Sequence, residues 1–230
     1  MPDRPRTPAK RAYHSPRRAE QAQATRRSIL EAARGLFERD GYVTTTMDAI
    51  AAEAGVASKT VYSVFSTKAG LLRALWDLLL KGDTDDAPIV QREAYLAVMA
   101  EPDPRRRLVL NAQHARVVKE RVGAMFGVIR DAAVVDPDGA ALWELIQTDF
   151  HANQRTIVAA IHETGGLRDG LDVARATDVL WTLNHPDVWL LLVGRCAWTP
   201  DEFETWLAES SCRQILGRTA PRARVRRPRP

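Results

Sequence analysis

The feature that most constrains the fold is a pair of short helical segments on either side of one glycine, within residues 46–65. Thr46 is a natural N-cap for a first helix over 47–54, which Gly55 ends. Ser58 is positioned to cap a second helix that reaches about Phe65. A helix-turn-helix needs two such helices at a steep angle, with a glycine where the turn requires a left-handed residue.

The side chains of this segment divide into an inner and an outer set. Small residues keep the first helix slim, and apolar residues are available for a shared core: Ala49, Ala51, Ala52 and Ala54; Ile50, Val56, Val61 and Phe65. The residues left for the outside suit the major groove of DNA: Ser58, Lys59, Thr60, Tyr62 and Ser63. An ordinary helical hairpin has the same spacing, so the spacing alone leaves both interpretations open.

The rest of the chain is helical in period, which predicts an all-α protein. Apolar residues at helical spacing predict a helix from Thr25 to Gly41, and another from a cap at Ser66 or Thr67 to Gly82. Beyond the polar linker 82–88, candidate helices span about 87–100, 104–118, 120–134, 138–164, 172–184, 186–197 and 200–217. No stretch shows the sustained alternation of a strand.

These breaks predict an N-terminal helix-turn-helix domain over 25–82 and a C-terminal helical bundle for regulation and dimerisation over 83–217. Loose tails are expected at 1–24 and 218–230, where proline and arginine are frequent. The first 27 residues carry eight basic and two acidic groups, and 218–230 carry six arginines and no acid. Residues 28–82 hold six basic and six acidic groups, so the tails are candidates for the attraction to phosphate.

The N-terminal segment closely resembles the DNA-binding domain of TetR-family transcriptional regulators. The resemblance is carried by 25–33 (TRRSILEAA), Leu36-Phe37, Gly41-Tyr42, 45–51 (TTMDAIA), 54–56 (AGV), 59–62 (KTVY), Phe65, Lys68 and Leu71-Leu72. Residues 165–217, with Ala197-Trp198-Thr199-Pro200 among them, look like the end of the same family's ligand-binding domain. One departure is Val64, where many members have a histidine or an aromatic residue.

The resemblance implies that the helix over 58–65 lies in the major groove of an operator. It assigns phosphate contacts to Arg26, Arg27, Thr46, Tyr62 and Lys68. Lys59 and Thr60 are the better candidates for base edges, with Ser58 and Ser63 beside them on the outer face.

The resemblance also implies a homodimer, a palindromic operator and a small-molecule effector, with repression as the usual mode. Dimerisation is expected through the stretches 172–197 and 200–217. Candidates for the ligand pocket are the polar or aromatic residues at helix-interior spacing: Asn111, His114, Phe126, Trp143, His151 and Trp181, with Met125, Phe150 and His185 as further possibilities. For each of these residues taken singly, an ordinary core or surface role is the stronger explanation.

Other classes of protein find less support. The chain has no His-Glu-x-x-His, Gly-x-Ser-x-Gly or glycine-rich phosphate loop, so we expect no enzyme activity, no cofactor and no metal. No run of 18 apolar residues is present, so a cytoplasmic protein with no membrane partner is expected. The alternatives that stay open are non-specific nucleic-acid binding through the arginine-rich tails and a helical interaction module without a nucleic-acid role.

Deletion of residues 1–24 should weaken DNA binding and flatten its salt dependence, because fewer counterions are released on binding. The measurement is the slope of the logarithm of affinity against the logarithm of salt concentration. An unchanged slope would contradict a role for the basic N-terminus.

Overall fold

The computed structural model describes residues 16–82 and 93–217. Within these ranges the chain forms ten α-helices and no strand, which confirms the all-α prediction. The helices are α1 (Pro16–Thr44), α2 (Met47–Glu53), α3 (Ser58–Phe65), α4 (Lys68–Lys81), α5 (Glu93–Ala100), α6 (Pro104–Val135), α7 (Pro137–Glu163), α8 (Val173–Leu183), α9 (Pro186–Trp189) and α10 (Pro200–Ile215).

Helix α1 begins earlier than the sequence pattern indicates. The prediction of a loose segment up to residue 24 is wrong for residues 16–24, which continue the helix in front of its buried face. Pro16 fits the start of a helix, and the following Arg, Ala, Glu and Gln residues are good helix formers. Because the packed part of α1 already provides the nucleus, extending the helix toward the N-terminus costs little. Residues 1–15 and 218–230 lie outside the described residues.

The α2–turn–α3 unit forms where the sequence predicts it. The Thr46 hydroxyl caps α2 by accepting a hydrogen bond from the Ala49 amide at 3.1 Å. Gly55 has a positive φ of 67°, the left-handed conformation that the turn requires. The expected cap at Ser58 is wrong: Ala57 is the N-cap without a side-chain bond, and Ser58 is the first residue of α3.

Helix α6 is one continuous helix of 32 residues, where the sequence was interpreted as two helices, 104–118 and 120–134. The chain between these segments has no proline or glycine, so nothing in the backbone interrupts the hydrogen-bond ladder. The residue at the expected break, Lys119, is buried inside the bundle. The predicted break at residue 119 is therefore wrong, and Lys119 continues the inward-facing side of one helix.

The end of the bundle is less regular than the predicted helix 186–197. Helix α9 spans four residues and passes into a π-helical turn over Leu190–Arg195. Helix α10 begins with a complete capping box, in which Thr199 and Glu202 bond each other's backbone amides.

One hydrophobic cluster joins the N-terminal helices to the bundle. It contains buried residues of α1 to α4, such as Phe37 and Trp76, together with Phe126 and Ile129 of α6 and Ile146 of α7. Trp76 and Phe126 meet across this boundary with ring centroids 5.4 Å apart. The helix-turn-helix region therefore packs directly against the long helices α6 and α7.

A polar contact stabilises the same interface. The Tyr42 hydroxyl donates a 2.5 Å hydrogen bond to a carboxylate oxygen of Asp136, the residue that caps α7. The bond holds the pKa of Asp136 below its ordinary value, and burial raises the pKa of Tyr42. Tyr42 is only 2% exposed, so the contact is shielded from water on its tyrosine side.

Replacing Tyr42 with Phe should lower the free energy of unfolding by about 1–3 kcal/mol, the usual worth of a hydrogen bond to a charged group. Because the folded-state pKa of Asp136 is depressed, its stabilisation is complete above the unfolded pKa of about 3.9 and is lost as pH falls through the lower folded pKa. Urea unfolding at neutral and acidic pH measures both effects. The matched control is Tyr62→Phe, where the side chain is 50% exposed. Equal stability of the two variants would contradict this account.

Candidate DNA-binding surface and internal cavity

Helix α3 presents a polar face outward and anchors an apolar face inward. Val61 and Phe65 are 0% and 6% exposed and pack into the main cluster. On the other side, Lys59, Tyr62 and Ser63 are exposed, and Ser58 and Thr60 are half-buried. The face that the sequence assigned to the major groove is therefore free in this chain.

Three further residues of the predicted set lie on α1 and at the start of α2. Arg26 lies on α1 with its guanidinium 4.7 Å from the centre of the Phe65 ring, which places a positive charge beside the end of α3. Thr46 is exposed, and its hydroxyl accepts from the backbone of α2, so its proton remains available to an acceptor. Arg27 is exposed and lies 3.9 Å from Glu31 of the same helix.

Lys68 has a structural role that the sequence did not indicate. Its ammonium donates to the carbonyl oxygens of Tyr42 and Thr45, at 2.8 and 2.9 Å, and lies 4.2 Å from the centre of the Tyr42 ring. Burial lowers the pKa of this lysine, and the charge of Asp136 opposes that effect. Two of its three protons are thus committed to the end of α1, so the predicted phosphate contact would use the third.

A cavity of about 170 Å³ lies between α4, α5, α6 and α7 and the turn before α9. Three of the six pocket candidates line it: Asn111, His114 and Phe126. Phe150, named as a further possibility, lines it as well. The wall also holds residues that the sequence reasoning missed, among them Trp76, Tyr95, Lys119 and Gln154.

The other three candidates do not line this cavity, and their role as ligand contacts stays a prediction. His151 is on the opposite side of α7 from the lining residues, 3.3 Å from Asp178. Trp181 lies on α8 between His151 and His185, with ring centroids 5.6 and 4.9 Å away. Trp143 packs instead against the hydrophobic cluster that joins the N-terminal helices to the bundle. Sequence spacing shows which residues share a helix face but not which face its neighbours leave open.

Lys119 is the most unusual side chain of the cavity wall. It is 3% exposed, and its ammonium contacts the backbone and side-chain oxygens of Asn184. Burial lowers its pKa from 10.5 to about 7. The sequence does contain a signal for this buried position. Lys119 shares one helix face with inward-facing residues, where a lysine is rare: Asn111, Ala115, Val122 and Phe126.

Two further features concern the part of the chain that the structure describes. There, no group of three or more His, Cys, Asp or Glu side chains is arranged to hold a metal ion. No helix among those described is long and apolar enough to cross a membrane.

The fold and the free face of α3 define a helix-turn-helix protein with a helical second region. Residues 29–75 match the family model described as "Bacterial regulatory proteins, tetR family". The chain is 28% identical over 194 residues to the probable HTH-type transcriptional regulator ArpR of Pseudomonas putida, covering 82% of this chain and 87% of ArpR. Residues 29–75 are thus similar to the DNA-binding segment of tetR-family regulators, and most of the chain is similar to curated HTH-type transcriptional regulators.

Solved structures show the same fold. NalD, the secondary repressor of the MexAB-OprM multidrug efflux pump in Pseudomonas aeruginosa, superposes with a TM-score of 0.65 at 21% identity, over 85% of this chain and 98% of NalD. A transcriptional regulator from Saccharomonospora viridis, solved in complex with choline, gives 0.65 at 19% identity, over 85% and 100% of the two chains. In both comparisons the structural similarity includes the C-terminal helices as well as the helix-turn-helix.

Replacing Lys68 with Met should destabilise the protein by about 1–3 kcal/mol, because two buried carbonyl groups lose their donor. Lys59→Met is the matched control, since Lys59 is exposed and its loss should leave stability within about 0.5 kcal/mol. Thermal unfolding of the two variants compares them directly. If Lys68→Met were as stable as Lys59→Met, the structural role given to Lys68 would be wrong.

Proposed function

We propose that this chain is a homodimeric repressor that binds a palindromic operator through α3 and releases it when a small molecule enters the cavity. The observation that carries the DNA-binding role is the free polar face of α3, whose opposite side is fixed in the core by Val61 and Phe65. A polar helix face that is anchored by its apolar side and exposes Lys59, Tyr62 and Ser63 suits insertion into the major groove. NalD is named as a repressor, which supports repression as the mode.

The assignment of contacts follows the geometry of this face. Lys59 and Thr60 lie in the first turn of α3 and are proposed to read base edges, with Ser58 and Ser63 beside them. Tyr62, Thr46, Arg26 and Arg27 are proposed to hold phosphates and so to set the position of α3 rather than its sequence preference.

Dimerisation is proposed through α8, the π-helical turn and α10. Several apolar residues of this region are buried within the chain, among them Leu180, Phe203 and Ile215, each 0% exposed. Others are left partly open, and Leu191 is 53% exposed. The open set offers a partner the apolar surface that a two-fold interface requires: Val179, Leu183, Leu191, Leu192 and Trp206.

Control by a ligand is supported by where the cavity lies. Trp76 and Leu80 of α4 form part of its wall, and α4 follows α3 after a two-residue turn. A ligand that fits the cavity only when α4 shifts would favour a form whose two recognition helices are wrongly spaced for the operator. The choline complex of the S. viridis regulator is a precedent for a bound small molecule in this fold.

The remaining expectations are part of the same proposal. The protein acts in the cytoplasm, has no enzymatic activity and needs no cofactor. Its functional regions are 25–82 for DNA binding and 83–217 for ligand binding and dimerisation.

Lys59→Ala should weaken binding to the operator by about 1–3 kcal/mol, the worth of a good base contact, and leave binding to random duplex less affected. Arg155→Ala is the matched control, because Arg155 is an exposed cation on α7, away from α3. Both are measured as the ratio of affinities for operator and random duplex at one stated salt concentration.

Equal loss from both variants, or a wild-type ratio near one, would contradict specific recognition by α3. The second outcome would favour the alternative of non-specific binding through the arginine-rich tails. Deleting residues 1–15 tests that alternative without shortening α1, which begins at Pro16.

A further inference from the structure

The cavity wall contains a buried cation without a buried anion to neutralise it. Lys119 donates only to the neutral oxygens of Asn184, and no carboxylate of the described residues lies within 4 Å of its ammonium. Of the two acids that line the cavity, Asp77 pairs with Arg73 at 3.3 Å, and Asp149 is exposed. A charge removed from water with no counter-ion is costly, so the site favours an anion that arrives from outside.

The charged and titratable groups around Lys119 do not supply it with a buried counter-ion. Burial and the charges of Arg121 and Lys119 lower the pKa of His114, and burial with the charge of Lys119 lowers that of His185. Asp187 acts in the opposite sense on His185 but does not face the cavity. The titratable and charged groups that line the cavity from the surrounding helices are Arg73 and Asp77 of α4, Tyr95 of α5, His114 of α6 and Asp149 of α7.

The rest of the wall suits an aromatic ring. Trp76 and Phe126 lie at an interplanar angle of 55°, and Tyr95 meets His114 edge-on with centroids 6.2 Å apart. Phe150 has its ring centre 5.3 Å from the Lys119 ammonium, so aromatic surface continues up to the charge. A volume of about 170 Å³ fits one ring, since engineered cavities of about 150 Å³ bind benzene.

Two buried amides provide further polar contacts. Asn111 is 4% exposed and Gln154 3% exposed, and both line the cavity. The Gln154 side-chain oxygen has no hydrogen-bond partner in the described part of the chain. A buried acceptor left in this state favours a ligand that carries a donor, such as a ring hydroxyl.

We propose that the cavity binds a carboxylate on a single aromatic ring, with the carboxylate on the Lys119 ammonium and the ring between Trp76, Phe126 and Phe150. As the effector of a repressor this inference rests on the proposed function, but binding itself is measured without DNA. The ligand restores neutrality to the buried lysine, and the aromatic wall contacts its ring edge to face.

Binding should be coupled to proton uptake. The free lysine has a pKa of about 7, and a carboxylate beside it raises that pKa, so above pH 7 the complex holds more protons than its separate parts. Titration calorimetry at pH 8 in two buffers of different ionisation enthalpy measures this uptake. A ring amide of the same shape should show none.

The binding test uses the full-length protein with benzoate, phenylacetate and 4-hydroxybenzoate, each against its neutral amide. At least one acid should bind at least tenfold more tightly than its amide. Lys119→Met, which keeps the length of the side chain, should abolish that preference, whereas Arg155→Met, at an exposed cation of α7 outside the cavity wall, should keep it. If Lys119→Met does not fold, the acid-to-amide ratio and the proton uptake of the wild-type protein decide alone.

The inference is overturned if no acid binds, if acid and amide bind equally, or if Lys119→Met folds and keeps the preference. These failures are separable from failure of the proposed function. Specific operator binding without any acid binding would retain the repressor and reject this ligand class. Acid binding that leaves operator affinity unchanged would retain the site and reject its regulatory role.

Discussion

The packing of α1 and α4 against α6 is the constraint on which the rest of the structure depends. A single hydrophobic cluster crosses from the helix-turn-helix into the bundle, with Trp76 against Phe126 at its boundary. The Tyr42–Asp136 hydrogen bond fixes the same boundary from its polar side. Because interiors are close-packed, this shared cluster makes α1, α4 and α6 one packed unit rather than parts of two loosely joined domains.

Helix α4 packs against both the N-terminal helices and the bundle. Its first residue, Lys68, holds the carbonyl groups at the end of α1, and its Trp76 contributes to both the shared cluster and the cavity wall. A ligand in the cavity therefore touches the same helix that positions the DNA-binding unit. This contiguity gives a physical route for coupling, which the difference in ligand affinity between two forms would have to drive.

The N-terminal unit could be predicted from the sequence in detail, because local signals determine it. Thr46, Gly55 and the alternation of inner and outer residues in α3 act over a few residues, and the structure has them in those roles. The start of α1 and the continuity of α6 could not be predicted in the same way. In both places no breaker is present, and packing at one end decides how far the helix extends.

The cavity depended on tertiary contacts that helical spacing does not encode. Asn111, His114 and Phe126 were found because they share a face of α6, and α7 happens to leave that face partly open. His151 and Trp181 have the same residue types but pack against each other outside it. Lys119 shows the opposite case: lysine is rarely buried, but this one is only 3% exposed, on the same face of α6 as Asn111 and Phe126.

The central claim is that α3 of each subunit enters the major groove of one duplex. Hydroxyl-radical footprinting of the purified protein on the DNA upstream of its own gene tests this claim most directly. The account predicts two protected patches related by a two-fold axis, with centres about 34 Å or a multiple apart. Uniform protection that follows no sequence, or a single patch without a symmetry mate, would contradict it.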